Sequence, residues 1–140
     1  QPEISNVPTM NPSTITFERT ACYGFCPVYK LALFGDGTGV FMGIANVEKV
    51  GVHTFEFEPS FVTNILQQAD IFGYFGWQDS YEEYLMTDHA TVIMTMQTDE
   101  NYKRIARYEG DPNAPVGLLW LENSIVQTLP LDFITSPQSE

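Results

Sequence analysis

The sequence predicts an α+β domain: a mainly antiparallel sheet of about six strands with two helices packed on one face, in the order β-β-β-β-α-β-β-α. Three observations predict it. The first segments alternate apolar and polar side chains with period two, as half-buried strands do. Short turn signals join them, above all Gly35-Asp36-Gly37, so neighbouring strands run antiparallel. Two later segments carry apolar residues at three- and four-residue spacing, the stripe of a helix lying on a sheet.

In the first strand, Ile15 and Phe17 alternate with Thr14, Thr16 and Glu18. A loop from Thr20 to Pro27 follows and holds both cysteines. Tyr29, Leu31 and Leu33 then alternate with Lys30 and Ala32 in a second strand. After the glycine turn, Val40 and Met42 form a third strand, expected to end near Gly43. A fourth runs from about Lys49 to Phe57. Pro59 opens the first helix, where its fixed φ and missing N–H do no harm. Phe61, Val62, Ile65, Leu66, Ala69 and Phe72 are its buried stripe, and Gly73 is placed to stop it. Ser80-Tyr81-Glu82-Glu83 has the spacing of a capping box, which predicts a short helix to about Leu85.

Ala90 to Met96 make the fifth strand, apolar on both faces, and Tyr102 to Tyr108 the sixth after a turn at Thr98 to Asn101. The second helix is expected from about Pro115 to Leu129, with Leu118, Leu121, Ile125 and Leu129 inward and Pro130 as its end. Residues 1–12, with three prolines, read as an extended N-terminal arm, 13–130 as a single domain and 131–140 as a C-terminal tail. The chain opens Gln1-Pro2-Glu3 without a methionine, as a processed or trimmed product would, and a removed export signal or lipid anchor is one expectation.

A formal net charge of −12 with only six basic residues opposes contact with phosphate backbones, so no nucleic-acid partner is expected. Anionic membrane surfaces are disfavoured for the same reason. No run approaches the ~18 consecutive apolar residues of a membrane span. The ten Phe, seven Tyr and two Trp argue for a packed core and against disorder.

Ala21-Cys22-Tyr23-Gly24-Phe25-Cys26-Pro27 is the most informative stretch. Gly24 gives the backbone the freedom to bring the two cysteines within bonding distance, and a structural disulfide is the reading adopted. Such a bond points to an oxidising, extracytoplasmic setting. Copper or thiol-redox handling is the alternative, with Cys22, Cys26 and His53 as a weak candidate metal set. Against it, the residues after Cys26 read as a strand, whereas in copper chaperones of the thioredoxin fold a helix follows the cysteines.

From Arg19 to Gly43 the sequence resembles a family of uncharacterised bacterial domains found largely in exported proteins and lipoproteins. The residues that carry this are Arg19, Cys22, Gly24, Cys26, Pro27 and Tyr29, then Gly35-Asp36-Gly37, with further matches at Gly43, Val47, Val50 and Gly51, at Tyr81, at Thr87-Asp88 and at Leu118 and Leu121. The resemblance runs from about residue 14 to 129 and implies export and a two-layer α/β shape; it brings no activity with it.

Phe72 to Tyr84 is rich in aromatic residues. Burial is expected for Phe72 and Phe75, while Tyr74, Trp77, Tyr81 and Tyr84 are candidates for contact with a partner or ligand. Asp79, Glu82, Glu83, Asp88 and His89 crowd one region but lack EF-hand spacing, and read as a capping box plus solvated charge. Asp88 and His89, with Ser80 or Ser60, supply a second alternative, a small hydrolase-like enzyme; no Gly-x-Ser-x-Gly elbow accompanies them. Gly35 to Gly39 joins strand to strand, so no helix N-terminus is available to cradle a phosphate, and no cofactor is expected. The functional expectation is therefore a non-catalytic binding module in the periplasm, at the outer membrane or outside the cell. It would have a protein partner, as an accessory subunit of an envelope or membrane-associated complex.

Overall fold

Seven strands form one mixed sheet in the computed structural model, which describes residues 13–82 and 88–134. They are β1 (Thr14–Arg19), β2 (Val28–Phe34), β3 (Thr38–Ala45), β4 (Gly51–Glu56), β5 (Ser80–Tyr81), β6 (Thr91–Gln97) and β7 (Tyr102–Tyr108). The spatial order is β4-β3-β2-β1-β6-β7-β5, and every pair is antiparallel except β5 with β7. Helices α1 (Ser60–Phe72) and α2 (Val116–Val126) complete the domain.

Side-chain parity explains the layering. Ile15, Phe17, Leu31, Leu33, Phe41, Val92, Met94, Met96 and Ile105 point to one face and are buried. Val62, Ile65, Leu66 and Ala69 of α1 and Leu118, Leu121 and Ile125 of α2 join them in one cluster. Each of these side chains larger than alanine contributes roughly 1.5–3 kcal/mol on leaving water. Phe17, Tyr29, Phe41 and Phe133 form a row of rings across this core, with neighbouring centroids 6.0, 5.3 and 5.2 Å apart. The opposite face, with Thr16, Glu18, Lys30, Ala32 and Thr95, stays half-buried or exposed.

The fold class expected from the sequence is the one found, with one strand more. The extra strand corrects the capping-box reading. Ser80 and Tyr81 do not begin a helix; they pair in parallel with Ala106 and Arg107, and the Ala106 N–H donates to Asp79 O at 3.0 Å. Tyr81 is buried, and the free edge of β7 offers backbone partners that an isolated helical turn lacks. Glu82 is not helical either, and residues 83–85 of the expected helix lie outside the described residues. The second helix ends at Val126 rather than Leu129, because the last turn tightens to three-residue bonds: Thr128 N–H to Ile125 O and Leu129 N–H to Val126 O.

β3 also runs past Gly43, to Ala45. The glycine is there for close approach. A Cβ at this position would lie 2.1 Å from the Lys49 carbonyl oxygen and 2.8 Å from Val47. Gly43→Ala is expected to force the 47–49 loop off the sheet and destabilise by about 1–3 kcal/mol, read as a lower urea midpoint at unchanged m-value. That loop also receives the end of the chain: Glu48 N–H donates to Ile134 O and Lys49 N–H to Phe133 O. Phe133, within the stretch assigned to the tail, is buried against Phe41, Phe55 and His53.

Among the described residues, one ion pair crosses the layers. Arg107 on β7 donates from Nε and Nη2 to the two carboxylate oxygens of Glu122 on α2, at 2.8 and 2.6 Å. Both residues are buried. The paired geometry satisfies both ends of the guanidinium fork and fixes the rotation of α2 on the sheet.

Candidate functional site

The β1–β2 connection is built as a bracket. Arg19 and Tyr29 face each other across the two strands at its base. Arg19 pairs with Glu109 and lies over the Phe17 ring at 5.9 Å. Burial pushes the Tyr29 hydroxyl pKa up, and the neighbouring Arg19 pulls it part of the way back. The Thr20 N–H donates to Thr91 O at 3.0 Å, and the Thr91 N–H returns to Thr20 Oγ1 at 2.9 Å. Above this base Cys22 and Cys26 are joined as a disulfide, with Cα atoms 5.8 Å apart. Gly24 sits at φ +134°, where a side chain would be strained. The Tyr23 N–H donates to Asp88 O, and Asn46 Nδ2 donates to Cys26 O at 3.1 Å.

Between the two cysteines the bracket holds Tyr23 and Phe25 outward, 84 % and 89 % exposed. Sequence reasoning missed both, because the two cysteines suffice to account for the loop. The signal was present: two aromatic residues flanking a glycine in a loop have no periodic place in the core. Replacing both cysteines by serine is expected to lower the global unfolding free energy by about 2 kcal/mol in the loop-entropy picture, because the unfolded chain gains freedom. Urea unfolding is the measurement, read as a lower midpoint with the native circular dichroism spectrum kept.

The candidates chosen from sequence fare differently. Tyr74 is fully buried, its hydroxyl donating to Met94 O at 3.2 Å, and burial drives its pKa far above the ordinary tyrosine value. Tyr81 is buried too, its hydroxyl accepting from the Gln78 N–H at 3.2 Å. Neither ring can meet a partner, which corrects their assignment as contact residues: a short 3₁₀ turn at Tyr74–Gly76 and the β5 pairing fold them inward. Trp77 is half-buried and lines an apolar hollow with Phe72 and Trp120. Tyr84 lies outside the described residues. Trp120, 49 % exposed on α2, is a third residue that sequence reading missed; it falls off the inward stripe of Leu118, Leu121 and Ile125.

The candidate metal set is not assembled. The two sulfurs are bonded to each other, and His53 on β4 donates from Nε2 to Val50 O at 2.9 Å while its ring packs on Phe133. No group of three or more His, Cys, Asp or Glu side chains able to hold a metal occurs among the described residues. Asp88 and His89 are both exposed. The His89 ring lies edge-on to Tyr108, and among the described residues no carboxylate or hydroxyl bonds it.

Residues 13–129 match the family model of a domain of unknown function, DUF6438. The chain belongs to the DUF6438 family. No curated protein and no solved structure matches it. The matched span holds all seven strands and both helices of the DUF6438 domain, together with the disulfide bracket. Phe133 lies just beyond it. No helix among the described residues is long and apolar enough to cross a membrane.

Proposed function

We propose that this DUF6438 domain is a non-catalytic, extracytoplasmic binding module that presents Tyr23 and Phe25 to a protein partner, as an accessory subunit of an envelope or membrane-associated complex. The exposure of those two rings on a disulfide-closed loop carries the reading. An aromatic side chain offers ~150–250 Å² for burial, and holding one in water is unfavourable for the free protein. A loop already closed by a bond and pinned at its base surrenders little entropy on docking, so more of the gross burial appears as affinity. The same bond supports an oxidising compartment.

The experiment is a comparison of the wild-type chain with Tyr23→Ala/Phe25→Ala in envelope extracts of the native host. Wild type is expected to migrate in a complex well above its monomer mass. The double variant should migrate as a monomer with an unchanged circular dichroism spectrum, because neither ring packs in the core. Truncating two central anchors is expected to weaken binding by about 2–4 kcal/mol, roughly 30- to 1,000-fold. Equal migration of the two forms would discard the proposal. The compartment has its own check: in intact cells a maleimide reagent should label Cys22 and Cys26 only after reduction.

A further inference from the structure

We infer that the groove between α1 and α2 seats a basic amphipathic helix of a partner protein. This surface uses none of the loop residues on which the proposed function rests. Two hollows flank Trp120 along the helix pair. One, of about 550 Å³, has Phe61, Ile65 and Trp120 as its apolar floor and Asn64, Gln68 and Gln127 among its polar lining. The other, of about 490 Å³, is lined by Phe72, Trp77, Val116 and Trp120, together with Pro115 and Gly117. Val116 is 83 % exposed, and the Trp120 ring stands edge-on to Phe72 at 5.7 Å, between the hollows. An apolar floor with amide and hydroxyl neighbours is what the stripe and flanks of an amphipathic helix require. α2 alone is ~16 Å long, enough for about three turns of a guest helix.

Charge selects the guest. No lysine or arginine occurs from Val50 to Tyr102 or after Arg107. All six cations therefore belong to the β1–β4 region and to β7, and the helical layer carries none. Glu58 lines the first hollow, and Asp70 is exposed on α1. An acidic guest would meet no counter-charge there and would be repelled by the −12 net charge, while lysine or arginine flanks are attracted.

The two tryptophans of the chain, Trp77 and Trp120, both line the second hollow, so intrinsic fluorescence reports on it. The test is titration with synthetic amphipathic peptides of about 14 residues, one Leu/Lys and one Leu/Glu. The Leu/Lys peptide is expected to shift tryptophan emission to the blue and to bind at least about tenfold more tightly than Leu/Glu, with affinity falling as salt rises. Val116→Lys and Gln68→Lys should each weaken it about fivefold or more, whereas Gln97→Lys, the same charge change on the open sheet face, should stay within about twofold. Equal affinity for both peptides, equal weakening by Gln97→Lys, or no emission change would overturn the inference. So would a wild-type dimer that Val116→Lys converts to monomer, since the groove would then hold a second copy. None of these outcomes bears on Tyr23 and Phe25, whose own variant leaves the groove intact.

Discussion

Replacing Glu122 with alanine is expected to lower the unfolding free energy by about 3–5 kcal/mol. The reason is what stays behind. Arg107 is 7 % exposed, and its Nε and Nη2 hydrogens both point at Glu122. With the carboxylate gone, a guanidinium remains buried without its counter-charge, and water has little access to replace it. Set against the roughly 5–15 kcal/mol typical of a domain, such a loss removes a fifth or more of the stability. Arg107→Met/Glu122→Leu removes both charges and is expected to recover most of it, because the buried pair is held against the desolvation of both ions. Urea unfolding of Arg107→Met, Glu122→Leu and the double closes the cycle. A Glu122→Ala midpoint within error of wild type would mean the pair contributes nothing.

Tyr74→Ala is expected to cost about 3–5 kcal/mol, since it opens a cavity in the core and removes the hydroxyl bond to Met94 O. Tyr74→Phe keeps the ring and is expected to lose only about 1 kcal/mol with the hydrogen bond. Its pH dependence is more informative. Tyr74 and Tyr29 both hold their protons in the folded state beyond the ordinary value of 10.0, Tyr74 from burial first and then the negative charge of Glu122, Tyr29 from burial against a partial offset by Arg19. The unfolded chain releases those protons near pH 10 and gains free energy by doing so. Stability from these groups is thus fully present below about pH 10 and lost as pH climbs through the raised folded values. Thermal melts from pH 8 to 11.5 should show the decline, and Tyr74→Phe should make it shallower. A Tyr74→Phe profile parallel to wild type would assign the alkaline loss elsewhere.

Legibility differed by kind of residue. Period-two runs such as Ile15–Phe17 and Tyr29–Leu33 named both the strand and the inward face, because parity along a strand is fixed by the pleat. The glycine turn at Gly35-Asp36-Gly37 joined β2 to β3, and the spacing of Val62, Ile65, Leu66 and Ala69 marked the buried side of α1. The aromatic stretch from Phe72 onward had no such ruler. Tyr74 and Trp77 occupy an irregular segment where neither period applies, so sequence alone could not say which ring goes in. β5 is two residues long, too short for any alternation, and exists only because β7 leaves an edge to pair with. In α2 apolar residues are spread round the helix, so no pattern singled out Trp120 as an exposed ring.

The amino-acid order by itself determined the fold class, the antiparallel neighbours and the Cys22–Cys26 ring, since periodicity, turn residues and a four-residue spacing are local properties. Tertiary structure alone decided which aromatic side chains meet water. Tyr23 and Phe25 stand out because the bond between their flanking cysteines and the contacts of Asn46 and Asp88 hold the loop off the sheet. Tyr74 sinks because β6 and β7 bring Met94 and Lys103 carbonyls beneath it. Exposure is set by what comes to lie beside a residue from far along the chain, and no local pattern encodes that neighbour.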